Sequence, residues 1–401
     1  MMNTELPKYW KLVKLGEVCE ILMGQSPPSS TYNRDGIGLP FFQGKAEFTE
    51  LYPLTEKWCS EPNKIAEPND ILLSVRAPVG NTNIANQKCC IGRGLAAIRY
   101  KNYKYVFYFL RSIEKELDKK GTGTTFKAIS GETIRQTIIP LPPLPEQHCI
   151  VAKLEELLSE LEKGKEQLHT ALEQLKVYRQ SVLKYAFEGK LTNKNVKDGE
   201  LPKGWKWVKL GEVCTSVEYG SAAKSKENGK VPVLRMGNIQ NGKFDWSDLV
   251  YTDDEKEIKK YLLKKNDVLF NRTNSAELVG KTAIYKGERK AIFAGYLIRI
   301  NRIESLIDAD YLTYYLNTHA AKSYGDTVRS FGVNQSNING TKLKNYPLPL
   351  PILEEQLRIV EEIESRLSVA DKLEETITAS LQQSETLRQS ILKKAFEGKL
   401  V

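Results

Sequence analysis

Two stretches of the chain, far apart in the sequence, repeat an apolar residue at every seventh position. In the first stretch these positions hold Leu154, Leu161, Leu168, Leu175 and Val182. In the second stretch they hold Ile363, Ala370, Ile377, Ser384 and Ile391. A seven-residue repeat of this length is typical of helices that pack against another helix. Prolines precede both stretches and disfavour helix there, while Gly189 and Gly398 stand where a glycine commonly ends a helix. The pattern predicts two long helices of roughly 42 residues and about 60 Å each.

The two helices have two possible arrangements. They could pack against each other and cover both apolar stripes, or each could lie separately on its own globule. Their length and their equal repeats favour mutual packing. The proline-rich stretches also resemble PxxP ligands, but a stiff entry to a helix accounts for the prolines at both places.

The rest of the chain predicts small domains of mixed α and β structure. The runs "IGRGLAAIRY", "PVLRMGNIQ" and "AIFAGYLIRI" are apolar, rich in strand-forming residues and bounded by Gly or Asn, which indicates strands. The runs "YVFYFLRSIEKEL" and "ADYLTYYLNTHAAKSY" indicate short amphipathic helices, and "GQSPPSSTYNRDG" and "GSAAKSKENGK" have loop composition.

The chain repeats itself along its whole length. "LPKYWKLVKLGEVC" from Leu6 returns as "LPKGWKWVKLGEVC" from Leu201, with 12 of 14 letters identical and an offset of 195. "RQSVLKYAFEGKL" from Arg179 returns as "RQSILKKAFEGKL" from Arg388, at an offset of 209. Each half therefore has a variable part followed by a shared helical part, and the second variable part is about 14 residues longer.

Charge separates the two kinds of segment. The net charge is +9, and the helical segments 146–191 and 355–400 contribute −1 and −2, so the remainder carries +12. A basic excess on the variable globules indicates a polyanionic partner, usually nucleic acid. The six cysteines form no CxxC pair, as expected of reduced thiols in a cytoplasmic protein, and no apolar run reaches the roughly 18 residues of a membrane span.

The sequence shows none of the common catalytic or cofactor motifs. The three histidines, His148, His169 and His319, have neither zinc-ligand nor catalytic spacing. "VGKT" at 279–282 ends like a phosphate-binding loop, but Ser275 stands where the first glycine is required. No NPPY-like or DPPY-like tetrapeptide of an amino-methyltransferase occurs. We therefore expect no catalysis, no cofactor and no metal.

The polar and basic loop residues are of the types that bind phosphates and base edges. In the first globule the candidates for DNA contact are Gln25, Ser26, Gln43, Lys45, Arg76, Arg93, Thr124 and Lys127. In the second globule they are Lys224, Arg235, Asn238, Arg272, Asn274, Lys281 and Arg329. For each candidate the alternative is an ordinary surface residue, or an arginine paired within the fold.

Several motifs, in this order along the chain, resemble one known family. "PKxWxxVKLGEVC", "DILLSVRAPVG", "RTNSAELVGK", "IPLPPLPEQHCIV" and "LRQSILKKAFEGKL" are similar to segments of the specificity subunit of type I restriction–modification systems (HsdS). The resemblance covers essentially the full chain. It implies an α+β protein with two mixed α/β target-recognition domains, each followed by a long helix, and an antiparallel coiled coil of the two helices with pseudo-two-fold symmetry.

The expected domain limits follow from the repeat and the resemblance. They are target-recognition domain 1 over 1–139, spacer helix 1 over 140–191, a linker over 192–200, target-recognition domain 2 over 201–348 and spacer helix 2 over 349–401. By the same symmetry, the second helix should end beside the start of the first globule. We therefore expect the two chain ends to lie close together.

The resemblance also implies a function and partners. The chain would be a non-catalytic subunit that reads a bipartite double-stranded DNA target, one domain for each half-site. It would dock two methyltransferase subunits, with restriction subunits in the full complex, and these partners would methylate adenine and cleave DNA. Two alternatives stay open: a helical adaptor that only assembles proteins, and a nucleic-acid enzyme in its own right.

Overall fold

The computed structural model describes residues 6–123, 127–193, 195–332 and 335–401. The chain forms two compact units. Unit 1 comprises Met1–His169 and Thr378–Val401, and unit 2 comprises Thr170–Ile377. Each unit contains one globule and one segment from each of two long helices, Leu144–Phe187 and Leu353–Phe396.

The globule of unit 1 combines short strands with four short helices in its described part. Its strands are Lys11–Lys14, Glu20–Met23, Tyr32–Asn33, Leu39–Phe42, Trp58–Cys59, Ile65–Ala66, Ile71–Ser74, Thr82–Ile84, Cys89–Ile91, Leu95–Arg99 and Ile138–Leu141. Its helices are Leu15–Val18, Tyr103–Ser112, Glu114–Lys120 and Gly131–Arg135, with 3-10 turns at Ser29–Thr31 and Lys45–Glu47.

A four-stranded antiparallel sheet forms the centre of unit 1. Leu95–Arg99 and Ile71–Ser74 are its inner strands, and Glu20–Met23 and Thr82–Ile84 are its outer strands. One face packs on the short and long helices, and the other packs on a five-stranded sheet that contains Leu39–Phe42. Because both faces are covered, the inner strands are largely apolar. The run "IGRGLAAIRY", predicted as a strand, contains one of them, Leu95–Arg99.

The globule of unit 2 has the same plan. Its strands are Lys206–Lys209, Cys214–Tyr219, Val231–Leu234, Ile239–Gln240, Lys243–Phe244, Val250–Thr252, Asp267–Asn271, Thr273–Asn274, Thr282–Tyr285, Ile292–Phe293, Leu297–Arg302, Ser330–Gly332, Gln335–Asn337 and Pro347–Leu350. Its helices are Glu255–Tyr261, Ala309–Leu316, His319–Val328 and Gly340–Lys344, with 3-10 turns at Leu210–Glu212 and Met236–Asn238. The central antiparallel sheet has the order Cys214–Tyr219, Leu297–Arg302, Asp267–Asn271 and Thr282–Tyr285.

Each repeated entry sequence contributes one strand to a small two-stranded sheet in its own unit. Lys11–Lys14 pairs antiparallel with Ile138–Leu141, and Lys206–Lys209 pairs in the same way with Pro347–Leu350. Trp10 and Trp205 are buried beside these strands. The second strand of each sheet leads directly into a long helix, so the expected domain limits at residues 139 and 348 fall inside paired strands.

The end of a long helix completes the core of each globule. In unit 1 the Phe396 ring meets Tyr105 and Phe109 edge to face, with ring centroids 5.2 and 5.4 Å apart. In unit 2 the Phe187 ring meets Tyr311 and Tyr315 at 5.0 and 5.2 Å. Globule and helix therefore share one hydrophobic core in each unit.

The two long helices pack against each other within each unit, which confirms mutual packing and not separate docking. In unit 1, Lys165 Nζ lies 3.0 Å from Glu385 Oε1, and Arg388 Nη1 lies 4.0 Å from Glu162 Oε1. In unit 2, Arg179 Nη1 lies 2.6 Å from Asp371 Oδ1, and Asn193 Nδ2 donates to Glu355 Oε1 at 2.9 Å. Residue numbers rise along one partner as they fall along the other, so the segments run antiparallel in each unit.

Glycine ends both long helices, as the sequence predicted. Gly189 and Gly398 have φ values of +74° and +68°, in the left-handed region that favours glycine. A Cβ on Gly189 would lie 2.1 Å from Pro202 Cγ, and one on Gly398 would lie 2.6 Å from Pro7 Cδ. The end of the second helix therefore meets the start of the first globule. This confirms the predicted closeness of the chain ends as far as Pro7 and Gly398; residues 1–5 lie outside the described part.

Candidate nucleic-acid interface

Five loop segments of unit 1 come together where the strands of the central sheet end. We call segments 24–26, 43–45, 75–77, 92–94 and 127–129 loop cluster 1. The Gln25 N–H donates to Ile91 O at 3.1 Å, and the Arg93 N–H donates to Ser26 Oγ at 3.2 Å. The Val75 N–H donates to Gly94 O at 2.9 Å. Two backbone hydrogen bonds and one accepted by the Ser26 hydroxyl therefore hold the candidates Gln25, Ser26 and Arg93 side by side.

The remaining described candidates of unit 1 join the same cluster. The Ala77 N–H donates to Lys127 O at 3.0 Å, which places Arg76 beside Lys127. Gln43 packs against Gly94, where an added Cβ would lie 2.3 Å from Gln43 O, so only glycine permits this approach. Lys45 begins the short turn that follows Gln43. Thr124 lies outside the described residues.

Positive charge in loop cluster 1 is largely uncompensated. Lys45, Arg76 and Arg93 are exposed, and no described carboxylate oxygen lies within 4.0 Å of any of them. Lys127 differs, because its Nζ lies 2.8 Å from Asp118 Oδ2. Unpaired cations next to amide side chains suit contact with a nucleic-acid backbone and its base edges.

Unit 2 builds the equivalent surface from the equivalent places. We call segments 219–221, 234–236, 272–274, 294–296 and 336–338 loop cluster 2. The Gly295 N–H donates to Ser221 O at 2.7 Å, and the Ala294 N–H donates to Leu234 O at 2.9 Å. The Arg272 N–H donates to Tyr296 O at 3.0 Å, and the Ile338 N–H donates to Arg272 O at 2.9 Å.

The cations of unit 2 are more often held by partners within the unit. Arg235 Nη2 lies 3.0 Å from Asp248 Oδ2, and Arg329 Nη1 lies 2.6 Å from Asp326 Oδ1. Lys281 Nζ lies 3.5 Å from Gln240 Oε1. Lys224 is exposed, three residues beyond Ser221. Asn274 is half-buried, and its Oδ1 accepts from the Ser275 N–H at 2.8 Å.

Asn238 is buried and does not fit the role of a DNA contact. Only 3% of it is exposed, and its Nδ2 donates to Asp245 O at 3.0 Å and to Asp248 O at 2.8 Å. Its Oδ1 accepts from the Arg235 N–H at 2.8 Å. The side chain therefore shapes the loop, and we exclude Asn238 from the proposed contacts.

Two tyrosines that the candidate set missed belong to loop cluster 2. Tyr219 is 41% exposed and Tyr296 is 49% exposed. The Arg272 guanidinium carbon lies 4.9 Å from the centroid of the Tyr219 ring. The sequence carries one signal for both residues, because each tyrosine stands next to a glycine, Tyr219 before Gly220 and Tyr296 after Gly295.

Two buried thiols are held in the protonated form, and the three histidines lie at the surface. Burial raises the pKa of the Cys19 and Cys89 thiols to about 12, so both stay protonated at neutral pH. Residues His148, His169 and His319 are exposed. Within the described ranges no three metal-ligating side chains come together, and no helix is long and apolar enough to cross a membrane.

Known proteins share both the sequence pattern and the fold. The family model for the type I restriction modification DNA specificity domain matches residues 7–170 and 202–383. A putative specificity subunit of the type I restriction enzyme MjaX from Methanocaldococcus jannaschii is 46% identical over 176 residues, which are 42% of this chain and 41% of that protein. The specificity subunits of StySPI from Salmonella potsdam and EcoKI from Escherichia coli are 28% and 26% identical. Each match covers 100% of this chain and 91% of the relative.

Solved structures agree at the level of the fold. A chain from a structure on complex assembly and conformational transition of a type I R–M system superposes with a TM-score of 0.76 at 23% identity, over 98% of this chain and 99% of that one. The HsdS subunit from Thermoanaerobacter tengcongensis superposes with a TM-score of 0.63 at 23% identity, over 99% of both chains. The repeated match of the family model, together with the repeated architecture, shows that this chain belongs to the type I restriction–modification DNA specificity family and carries two copies of its domain.

Proposed function

We propose that this chain is the non-catalytic specificity subunit of a type I restriction–modification complex and reads a bipartite double-stranded DNA target. The observation that carries this proposal is the duplicated loop cluster. Both units assemble the same five loop segments on the same sheet frame, while the residues within those segments differ. A shared frame with different side chains suits two readers of two different half-sites.

The proposed readers are target-recognition domains 1 and 2, over residues 1–139 and 201–348. The segments 140–191 and 349–401 act as spacer helices, and 192–200 as the linker. The proposed DNA contacts are Gln25, Ser26, Gln43, Lys45, Arg76, Arg93, Lys127, Lys224, Arg235, Arg272, Asn274, Lys281 and Arg329, with Thr124 retained as a prediction from sequence alone. Amide and hydroxyl groups suit base edges, while lysines suit phosphates.

The proposed partners carry the chemistry. Two methyltransferase subunits would modify adenine, and restriction subunits would cleave DNA in the full complex, in the cytoplasm. Support comes from the relatives, which are specificity subunits of restriction enzymes. A structural neighbour from a study of type I R–M complex assembly adds to it. The duplicated sheet and helix ends would give two identical subunits two equivalent places to dock.

Methylation mapping of the reconstituted complex tests this function. The chain is co-purified with its methyltransferase partner, and a mobility-shift assay and sequencing of methylated adenines are run on the same preparation. We expect a shifted DNA band and one motif made of two short defined halves separated by an undefined gap. A stable protein complex that neither shifts DNA nor methylates a defined motif would instead indicate a helical assembly adaptor.

The spacer role of the helices has its own test. One heptad is inserted into each long helix at paired positions, which adds about 10 Å of helix, or roughly three base pairs of DNA. The undefined gap of the motif should lengthen accordingly. An unchanged gap in a folded, active variant would remove the helices as the determinant of half-site spacing.

A further inference from the structure

Arg272 stands at a fixed point of loop cluster 2. It directly follows the central strand Asp267–Asn271. Its N–H donates to Tyr296 O at 3.0 Å, and its carbonyl accepts from the Ile338 N–H at 2.9 Å. The backbone that carries this side chain is therefore fixed on both sides by neighbouring segments of the cluster.

The side chain of Arg272 is held as well. Its guanidinium lies over the Tyr219 ring, and its Nη1 donates to Gly295 O at 3.1 Å. Its Nε is enclosed and has no hydrogen-bond partner among the described residues. The Tyr219 hydroxyl accepts from the Gly340 N–H at 2.8 Å, which fixes the ring below the guanidinium. The planar fork of this arginine is thus oriented before any ligand arrives.

Arg272 differs from the other half-buried arginines of unit 2 because no described carboxylate lies close to its guanidinium. Described carboxylate oxygens lie within 4.0 Å of Arg179, Arg235, Arg299, Arg302 and Arg329. No such oxygen among the described residues lies that close to Arg272. Because a half-buried charge loses hydration, acceptors from a bound partner would compensate it.

The fold does not require an arginine at this position. In unit 1 the equivalent residue is Val75, whose N–H donates to Gly94 O at 2.9 Å and whose carbonyl accepts from the Ile129 N–H at 3.0 Å. Val75 is 2% exposed. Met23 precedes Gly24 in unit 1 as Tyr219 precedes Gly220 in unit 2. The arginine and its tyrosine therefore belong to unit 2 alone, as expected of a residue pair that serves one half-site.

We propose that Arg272 recognises a guanine in the half-site read by unit 2, and that Tyr219 is the positioning residue that orients it. The inference rests on the proposed function. A planar guanidinium fork matches the O6 and N7 acceptors of guanine, and this is the commonest specific contact of arginine in the major groove. A fork fixed by stacking and by a carbonyl has the directional precision that a base edge requires. A phosphate can also be bound by the point charge of an exposed, flexible lysine.

Mapping the methylated motif with variant complexes tests this assignment. Arg272→Val introduces the residue that unit 1 carries at the equivalent position, and Arg272→Lys keeps the charge but removes the fork. Both variants should relax one G·C position of one half-site, with discrimination there reduced roughly 5- to 150-fold. A uniformly slower reaction with an unchanged motif would overturn the proposal and indicate a phosphate contact or a structural arginine.

The matched control is Arg289→Gln in the same unit. Arg289 also stacks on an aromatic ring, 4.6 Å from the Trp246 centroid, and its Nη2 donates to Trp246 O at 3.3 Å. It lies outside loop cluster 2, so its loss should leave the motif intact. Relaxation of the same position by Arg289→Gln would contradict a specific role for Arg272.

Two further measurements separate base recognition from folding. A duplex with 7-deazaguanine at the relaxed position lacks the N7 acceptor. It should weaken binding by the wild-type complex and leave binding by the Arg272→Val complex unchanged. Tyr219→Leu should relax the same position, and Tyr219→Phe should do so less. Equal sensitivity of wild type and Arg272→Val to the deaza base would sink the proposal. Absence of any defined motif in the wild-type complex would instead sink the proposed function.

Discussion

Loop cluster 1 and loop cluster 2 have the same backbone frame but hold their positive charge differently. In unit 1, Lys45, Arg76 and Arg93 are exposed and have no carboxylate nearby among the described residues. In unit 2, Arg235 of loop cluster 2 pairs with Asp248, and Arg272 stacks on Tyr219 with no described carboxylate nearby. Arg329, which lies outside the cluster, pairs with Asp326. Free exposed cations act mainly on the phosphate backbone, whereas oriented arginines carry more directional information. If both clusters contact DNA as proposed, we expect unit 1 to contribute more non-specific affinity and unit 2 to rely more on fixed geometry.

Each globule should depend on the helix end that completes its core, Phe396 in unit 1 and Phe187 in unit 2. Removal of these two rings should have the largest effect of the changes proposed. Phe396→Ala should destabilise unit 1 and Phe187→Ala should destabilise unit 2, each by about 3–5 kcal/mol, because each removes a buried ring from a shared core. Hydrogen exchange of the helices Tyr103–Ser112 and Ala309–Leu316 reports the two effects separately.

The control for these substitutions is Leu387→Ala, which removes a side chain that is 51% exposed on the second long helix. It should change the exchange of neither helix. Equal loosening of both units by Phe396→Ala alone would show that the units do not have separate cores.

The salt dependence of DNA binding measures how many of these cations contact phosphates. If Lys45 contacts a phosphate, Lys45→Ala should lower the slope of log K against log salt by about one. If Lys281 also contacts a phosphate, Lys281→Ala should lower the slope by the same amount, because the neutral Gln240 amide near its Nζ leaves the charge intact. With roughly six to ten phosphate contacts, the complex as a whole should lose about 10³–10⁵ in affinity between roughly 50 and 200 mM salt.

Lys153→Ala provides the control for salt, because Lys153 lies on the first long helix and pairs with Glu156 at 2.9 Å. The slope of log K against log salt for the Lys153→Ala complex should match that of the wild-type complex. A slope unchanged by both Lys45→Ala and Lys281→Ala would remove these two lysines from the proposed contacts.

A smaller effect is expected in the acid stability of unit 1, where Glu50 forms ion pairs with Arg111 and Arg388. Burial tends to raise the pKa of Glu50, but Arg111 and Arg388 outweigh it and lower the pKa below its ordinary value of 4.5. The stabilisation is therefore complete above about pH 4.5 and is lost as pH falls through the lower folded value. Because Glu50 is exposed, the loss should stay below about 1 kcal/mol.

Chemical denaturation of wild type and Glu50→Gln between pH 7 and pH 3 measures this contribution. The stability difference should shrink towards low pH, while the control Glu56→Gln, at an exposed glutamate with no ion pair among the described residues, should leave the stability at pH 7 unchanged. A difference that grows as pH falls would have the wrong sign for a lowered pKa.

The smallest expected effect comes from circular permutation. Gly398 lies against Pro7 as Gly189 lies against Pro202, so one junction differs from the other mainly in its missing peptide link. A permutant that joins Val401 to Met1 through a short linker and opens within 193–198 should fold, bind its partners and methylate the wild-type motif. Loss of partner binding by a folded permutant would show that the continuous 189–201 junction is required.

The parts of the fold that sequence could predict are those with long periodic signals. The seven-residue repeats and Gly189 and Gly398 predicted the two long helices, which the structure places at Leu144–Phe187 and Leu353–Phe396. The run "AIFAGYLIRI" predicted a strand, but the structure has two, Ile292–Phe293 and Leu297–Arg302, on either side of a bend. Two-residue strands have too little local pattern to be recognised.

The candidate contacts were chosen by residue type, but the sequence could not predict how these residues are arranged in space. Arg272 and Tyr219 are 53 positions apart in the sequence, and only the pairing of the central strands brings them together. Asn238 shows the opposite error, because an asparagine that shapes a turn and one that contacts DNA have the same loop context in a sequence. The partner of each polar group decides between these roles, and partners are a tertiary property.

The central claim is that each unit independently reads one half of a bipartite target. The most direct measurement replaces residues 201–348 with the corresponding segment of a related specificity subunit and sequences the methylated adenines produced by the reconstituted complex. The account predicts that one half of the motif changes completely, while the other half stays identical. A change in both halves, or in neither, would contradict the two-reader model.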